Sequence, residues 1–111
     1  MALSNYKKWD VVLVNLNPVK GSEISKTRPC LIISPNAANK HLKTVIVAPL
    51  TSVTRNIPTR FETNFNNKQG EICFDQMKAI DKSRIIKILG TLDNSERVPV
   101  NILLANMFSE L

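Results

Sequence analysis

The sequence predicts a mainly β (α+β) domain: a small, strongly bent sheet or barrel with one helix packed against it at the C-terminal end. Three observations predict it. Five or six short runs rich in β-branched and aliphatic residues succeed one another, as strands do. Each run ends in Pro, Gly, Asn, Ser or charged residues, the chemistry of turns. Only the last stretch changes to the three-to-four-residue spacing of a helix. At 111 residues, with no repeat, low-complexity tract or linker, residues 1–111 are expected to form a single domain.

Trp9 to Leu16 (WDVVLVNL) reads as the first strand, and Asn17 to Thr27 (NPVKGSEISKT) as a loop of Pro, Gly, Ser and charges. Pro29 to Ser34 (PCLIIS) and Thr44 to Leu50 (TVIVAPL) are short apolar runs that suit buried strands. Pro58 to Thr63 and Glu71 to Ile80 give two more, with the polar stretch NFNNKQG between them. Arg84 to Leu92 (RIIKILGTL) fits either period, but its isoleucines and Gly90 favour a strand. From Ser95, the tail places Val98, Ile102, Ala105 and Phe108 or Ser109 about one helical turn apart. Asp93 or Ser95 suits the N-cap, and Pro99 is expected in the first turn, where a missing N–H costs little.

Fifteen Lys and Arg against nine Asp and Glu give a formal charge of +6, with a sequence pI of about 9.6 and a mean hydropathy of -0.07. A field of that sign draws polyanions, of which nucleic acid is the commonest in a cytoplasm. The competing reading is that excess lysine keeps a small protein soluble. No segment joins a basic face to a long apolar one, and none approaches the ~20 apolar residues of a membrane span. The N-terminal MALSNYKKWD has no apolar signal core, so the expected location is cytoplasmic, with no membrane partner. Cys30, Cys73 and the single histidine, His41, fall short of the four ligands of a structural zinc site. The cysteines read as buried free thiols, and no metal or cofactor is expected. A domain this short leaves much of its surface exposed, which makes a homodimer the expected assembly.

The loop between the first two strands carries the most information. It runs Pro18-Val19-Lys20-Gly21-Ser22-Glu23-Ile24-Ser25-Lys26-Thr27-Arg28-Pro29. Pro29 biases Arg28 toward extended geometry, which puts a guanidinium where loop becomes strand. There it can meet a phosphate through two parallel hydrogen bonds, or it can be an ordinary surface arginine.

The pattern P-x-x-G-S-E-x-x-x-x-R-P, after a strand beginning Trp9-Asp10-Val11, resembles the signature of MazF/PemK-type toxins, the ribonuclease halves of bacterial toxin–antitoxin pairs. Further similarities follow in order: Ala48-Pro49-Leu50-Thr51, Asp75-Gln76 with Lys78 and Ile80-Asp81, Ser83-Arg84-Ile85, and Leu89-Gly90. The likeness runs from about Lys8 to Leu104. It implies an SH3-like small barrel of five to seven strands with a C-terminal helix (MazF/CcdB/Kid-like), dimeric, with RNA in grooves near the dimer interface. It implies cleavage of single-stranded RNA at short motifs by the ribose 2′-OH, leaving a 2′,3′-cyclic phosphate and a 5′-OH. Such a reaction needs no metal, because the nucleophile already lies close to the phosphorus. A cognate acidic antitoxin with a disordered tail is the implied partner.

The resemblance also assigns residues. Arg28 matches the loop arginine and suits phosphate stabilisation, since a guanidinium keeps its charge. Thr51 corresponds to the threonine after the third strand, whose hydroxyl can bond a phosphate oxygen or the 2′-OH. Glu23 can act as a base or orient Arg28, and Asp75 is the other base candidate or a structural carboxylate. In one branch of the family an Arg stands two positions before that Asp. Here the position is Cys73, which shifts weight to the Arg28–Thr51 pair. Lys20, Ser22, Lys26, Gln76, Lys78 and Arg84 are the candidate RNA-binding residues, with Lys87 adding to the basic surface. His41 matches no catalytic position. With Trp9, Phe61 and Phe74 expected in the core, Phe65 is the best aromatic for stacking on a base. Two rival readings stand: a toxin of the same fold that poisons gyrase by binding protein, and an RNA-binding regulator that does not cut.

Overall fold

The computed structural model describes residues 5–109. Seven strands form one sheet: β1 (Asp10–Asn15), β2 (Thr27–Ile32), β3 (Thr44–Thr51), β4 (Arg60–Phe65), β5 (Lys68–Cys73), β6 (Lys78–Asp81) and β7 (Ile85–Thr91). A short helix α1 (Asn36–Asn39) joins β2 to β3, and α2 (Asn94–Met107) closes the chain. The hydrogen-bonded order is β4-β5-β3-β2-β1-β7, with β6 also paired to β3. Every pairing is antiparallel. The mainly β fold with a C-terminal helix expected from the sequence is therefore present.

The bend of the sheet has local causes. Along one edge of β3, Thr44 to Val47 pair with β6, whereas Leu50 and Thr51 pair with β5. The chain changes course between the two at a 3-10 turn, Phe74–Gln76. The single strand expected over Glu71 to Ile80 is thus two strands. Phe74 explains the break: its side chain is fully buried in the core, and turning the backbone there lets the ring in. The pairing of β1 with β7 shifts register twice, which adds twist. At the far ends, β4 and β7 approach without pairing. Phe65 lies over Gly90, where an added Cβ would stand 3.2 Å from the ring.

Both faces of the sheet are covered, which explains why its inner strands are nearly continuous apolar runs. Val12, Val14, Leu16, Cys30, Ile32, Val45, Val47, Ile80 and Ile85 form one cluster, against which Tyr6, Val19 and Ile24 pack. Val11, Leu31, Ile33, Ala48, Ile72, Phe74, Leu92 and Val100 form the other. The two-residue alternation along β1 sends Val11 to one cluster and its neighbour Val12 to the other. Because Val19 and Ile24 sit on the first cluster, the loop between β1 and β2 is anchored and not merely solvated.

Two expectations about the tail need correction. The helix begins at Asn94, capped by Asp93, whose carboxylate accepts from the Ser95 amide at 3.1 Å. Pro99 consequently falls in the second turn. The face turned to the sheet is Val100, Leu103, Leu104 and Met107, at the spacing i, i+3, i+4, i+7. Val98, Ile102 and Phe108 point outward, at 65%, 56% and 69% exposure. The polar stretch NFNNKQG is mostly strand, a hairpin turning only at Asn66 and Asn67. No helix among the described residues is long and apolar enough to cross a membrane.

Candidate nucleic-acid interface

Arg28 and Thr51 come together because β2 and β3 are antiparallel neighbours. The pairing of Cys30 with Pro49, carried two residues further, sets Arg28 across from Thr51. Both line a groove of about 580 Å³ with Lys26, Pro29, Ser52, Phe65, Asn66, Lys68 and Gln69, floored in part by Leu13, Leu50 and Leu89. Arg28 is half-buried. Its Nε donates to the Ser25 carbonyl at 2.9 Å, which fixes the plane of the guanidinium and leaves its terminal N–H groups for a ligand. Thr51 Oγ1 accepts from the Val53 amide at 3.2 Å, so the hydroxyl proton remains available to donate. Lys26 is held at a positive φ of 73° on the last loop position before β2.

Glu23, Asp75, Gln76 and Lys78 line a different, smaller pocket of about 270 Å³, with Leu16, Ile24, Pro49 and Met77. The candidate residues therefore divide between two concavities that flank the end of β3, with Pro49 in one and Leu50 and Thr51 in the other. Glu23 accepts from the Lys20 amide within the loop. Gln76 Oε1 accepts from the Ile24 amide at 3.3 Å, which ties the 3-10 turn to the loop and leaves the amide N–H groups as donors.

Asp75 is already engaged. Arg60 donates to both its oxygens, Nε to Oδ1 at 2.7 Å and Nη2 to Oδ2 at 3.0 Å, and the Thr59 hydroxyl adds a bond at 3.1 Å. The Arg60 bonds, ahead of opposing burial and the smaller help of Thr59, hold the Asp75 carboxyl below the usual carboxylate range. Arg60 also lies 3.9 Å from Glu71. Glu71 is only 2% exposed, and its carboxylate accepts from the Arg55 and Asn56 amides at 3.0 Å each. This network pins the segment that follows Thr51. Sequence reasoning missed both Arg60 and Glu71.

The remaining candidates are dispersed. Lys20 and Ser22 are exposed on the loop beside Gly21, whose φ is 57°. Arg84 bonds the carbonyls of Asn15 and Asn17 and so clamps the start of the loop. Lys87 is exposed on β7, and His41 is exposed just beyond α1. Cys30 and Cys73 are free and buried.

Comparison with known proteins shows the family. A family model described as PemK-like, MazF-like toxin of type II toxin-antitoxin system matches residues 7–108. The chain belongs to this family. It is 35% identical over 101 residues to the Endoribonuclease MazF of Staphylococcus epidermidis, covering 86% of this chain and 84% of that protein. The Endoribonuclease MazF of Staphylococcus saprophyticus subsp. saprophyticus matches with the same identity and coverage. Among solved structures, MazF from Deinococcus radiodurans is similar with a TM-score of 0.81 and 23% identity, over 94% of this chain and 96% of that one. A mycobacterial endoribonuclease in complex with its cognate antitoxin is similar with a TM-score of 0.79 and 23% identity, over 96% and 99%. At such identities the two structures speak for the fold.

Cys73, two positions before Asp75, offers it no charge. The β4–β5 register pairs Arg60 directly with Cys73. A guanidinium thus reaches Asp75 after all, from the neighbouring strand.

Proposed function

We propose that this chain is an endoribonuclease toxin that cuts single-stranded RNA at short sequence motifs without a metal ion. The observation that carries the reading is the meeting of Arg28 and Thr51 in one open groove of a MazF-type fold. In this reading the ribose 2′-OH gives up its proton and its oxygen attacks the adjacent phosphorus, while the P–O5′ bond breaks and the departing O5′ takes a proton from water. The products are a 2′,3′-cyclic phosphate and a 5′-OH end. The terminal N–H groups of Arg28 and the Thr51 hydroxyl stabilise the charge that develops on the non-bridging phosphate oxygens. Of the two carboxylates considered as proton acceptors, Asp75 is weakened as a base by its hydrogen bonds. Glu23, exposed on the loop that carries Arg28 although it lines the neighbouring pocket, is the carboxylate left for that role. Lys20, Ser22, Lys26, Gln76, Lys78 and Arg84 supply contacts to the RNA.

The net charge of +6 supports a polyanionic substrate and an acidic antitoxin that competes with it. The mycobacterial relative in complex with its cognate antitoxin supports such a partner, and a homodimer is the assembly proposed. The test is incubation with long single-stranded transcripts in EDTA beside Arg28→Ala. Discrete fragments ending in cyclic phosphate and 5′-OH, lost in the variant, are expected. Intact RNA across several unrelated transcripts, from a protein that still arrests growth, would move the assignment to a protein-binding toxin.

A further inference from the structure

We propose that the tip of the β4–β5 hairpin, Phe65 with Asn66 and Gln69, is a base-recognition subsite that sets which RNA sequence is cut. The inference rests on the ribonuclease reading above and deepens it. These residues line the same groove as Arg28 and Thr51, so an RNA whose phosphate meets Arg28 lays a neighbouring base beside the hairpin. A nucleobase has flat apolar faces and polar edges, and single-stranded RNA is read by stacking and by those edges. The groove offers both: Phe65 with Leu13, Leu50 and Leu89 for a face, and the amides of Asn66 and Gln69 for an edge. Each amide carries donors and an acceptor. Among the described residues neither side chain bonds another protein group, in contrast to Gln76, whose oxygen is held by Ile24.

The seat is preorganised. Asn66 and Asn67 turn the hairpin at φ values of 51° and 63°, and Phe65 pairs with Lys68 across it. That is the two-residue turn in which both central residues have positive φ, matched to strand twist. The Phe65 ring is braced against Gly90. Behind the tip, Gly70 packs against the Thr51 backbone so closely that a Cβ there would overlap the Thr51 carbonyl oxygen. The hairpin therefore packs directly on the Thr51 backbone, with which β5 also pairs, and a base held at the tip has a set offset from the Thr51 hydroxyl. Fixed offset between a base seat and the groups that hold the phosphate is what sequence-specific cutting requires.

Two measurements test the proposal. In the first, the 5′-OH ends produced from a pool of transcripts are sequenced for the wild type, Asn66→Ala, Gln69→Ala and Phe65→Leu. Phe65→Tyr, which keeps the ring, is added as a control expected to retain the preference the other variants lose, and the two amide variants carry the test should the leucine variant melt early. Preference at one nucleotide position beside the cut is expected to fall about tenfold, within the range that loss of one base contact or stack produces. The preferences at other positions persist. Unchanged profiles in all variants, or equal loss at every site, overturn the proposal. In the second, Arg28→Ala protein is irradiated with RNA carrying 5-iodouridine, and tryptic peptides are analysed. An adduct on residues 61–68 or 69–78 that disappears in Phe65→Leu or Gln69→Ala supports the subsite, and adducts confined to other peptides overturn it. Failure of the wild type to cut any transcript would overturn the ribonuclease reading instead, and the crosslink would still decide where RNA sits.

Discussion

Arg60 on β4 grips Asp75, beyond the end of β5, at two points, with Nε and Nη2 at 2.7 and 3.0 Å from its two carboxylate oxygens. Parallel bonds of this kind fix geometry as well as adding energy. The Arg60 side chain is only 9% exposed, whereas that of Asp75 is 29% exposed and water reaches its carboxylate. Arg60→Ala is expected to lower stability by about 2 kcal/mol, the range for hydrogen bonds to charged groups. Chemical denaturation checks this. A change within error of zero would mean that the pair contributes nothing net.

The same pair makes a pH prediction. Arg60, the leading cause, lowers the Asp75 pKa in the folded state, so the unfolded chain binds this proton more readily than the native one. The stability contributed is present above the unfolded carboxylate pKa, about 3.9, and is lost as pH falls through the lower native value. The stability gap between wild type and Arg60→Ala is therefore expected to narrow below about pH 4. A gap that widens with acid would contradict the assignment.

Gly70→Ala tests the contact behind Thr51. The new methyl group meets the Thr51 carbonyl, and its nearest carbonyl carbon contact is 3.3 Å. Both partners are backbone in paired strands, so neither yields easily. A loss of about 1–3 kcal/mol is expected from overpacking, together with slower cutting because Thr51 shifts. Gly90→Ala meets only the edge of the Phe65 ring and should cost less. Equal costs at the two sites would show that the ring is no more able to give way than the backbone.

Thr51→Val keeps the shape of the side chain and removes the hydroxyl. A fall in cleavage rate of about 100-fold is expected for loss of one stabilising donor, whereas Thr51→Ser retains most activity. The comparison is made as kcat on one transcript. A valine variant as active as the serine one would remove Thr51 from the chemistry.

Burial pushes the Cys30 thiol up to about 12 and the Cys73 thiol to about 11. Both are raised in the folded state, so their contribution to stability is complete below the ordinary thiol pKa, about 8.5. It is lost as pH rises through the native values. At pH 8 a thiol-reactive chromophore should label neither cysteine until denaturant is added. Immediate labelling of the native protein would show that these sites are open.

Much of the fold was legible in the residues. The β-branched residues of WDVVLVNL and the short apolar runs after it marked the early strands, because strands buried on both faces leave that imprint. The break at Phe74 left no comparable trace, since the stretch from Glu71 to Ile80 stays apolar enough for one strand. The face of α2 was ambiguous for another reason. Val98 and Ile102 fit a helical stripe, and Val100, Leu103, Leu104 and Met107 fit a better one. The i, i+3, i+4, i+7 spacing of the second was readable, but the tail is apolar on two sides.

Local chain chemistry by itself determined the family resemblance, the loop with Arg28 ahead of Pro29, and the strand from Thr44 to Leu50 with Thr51 just after it. Those signals lie in contiguous residues, where proline, glycine and side-chain period act directly on the backbone. Only the tertiary structure decided that Arg28 and Thr51 share a groove while Glu23 and Asp75 line another pocket, and that Arg60 supplies the charge missing at Cys73. Such relationships depend on which strands pair and in what register. Register is fixed by burial summed over a whole sheet, and no short segment records it.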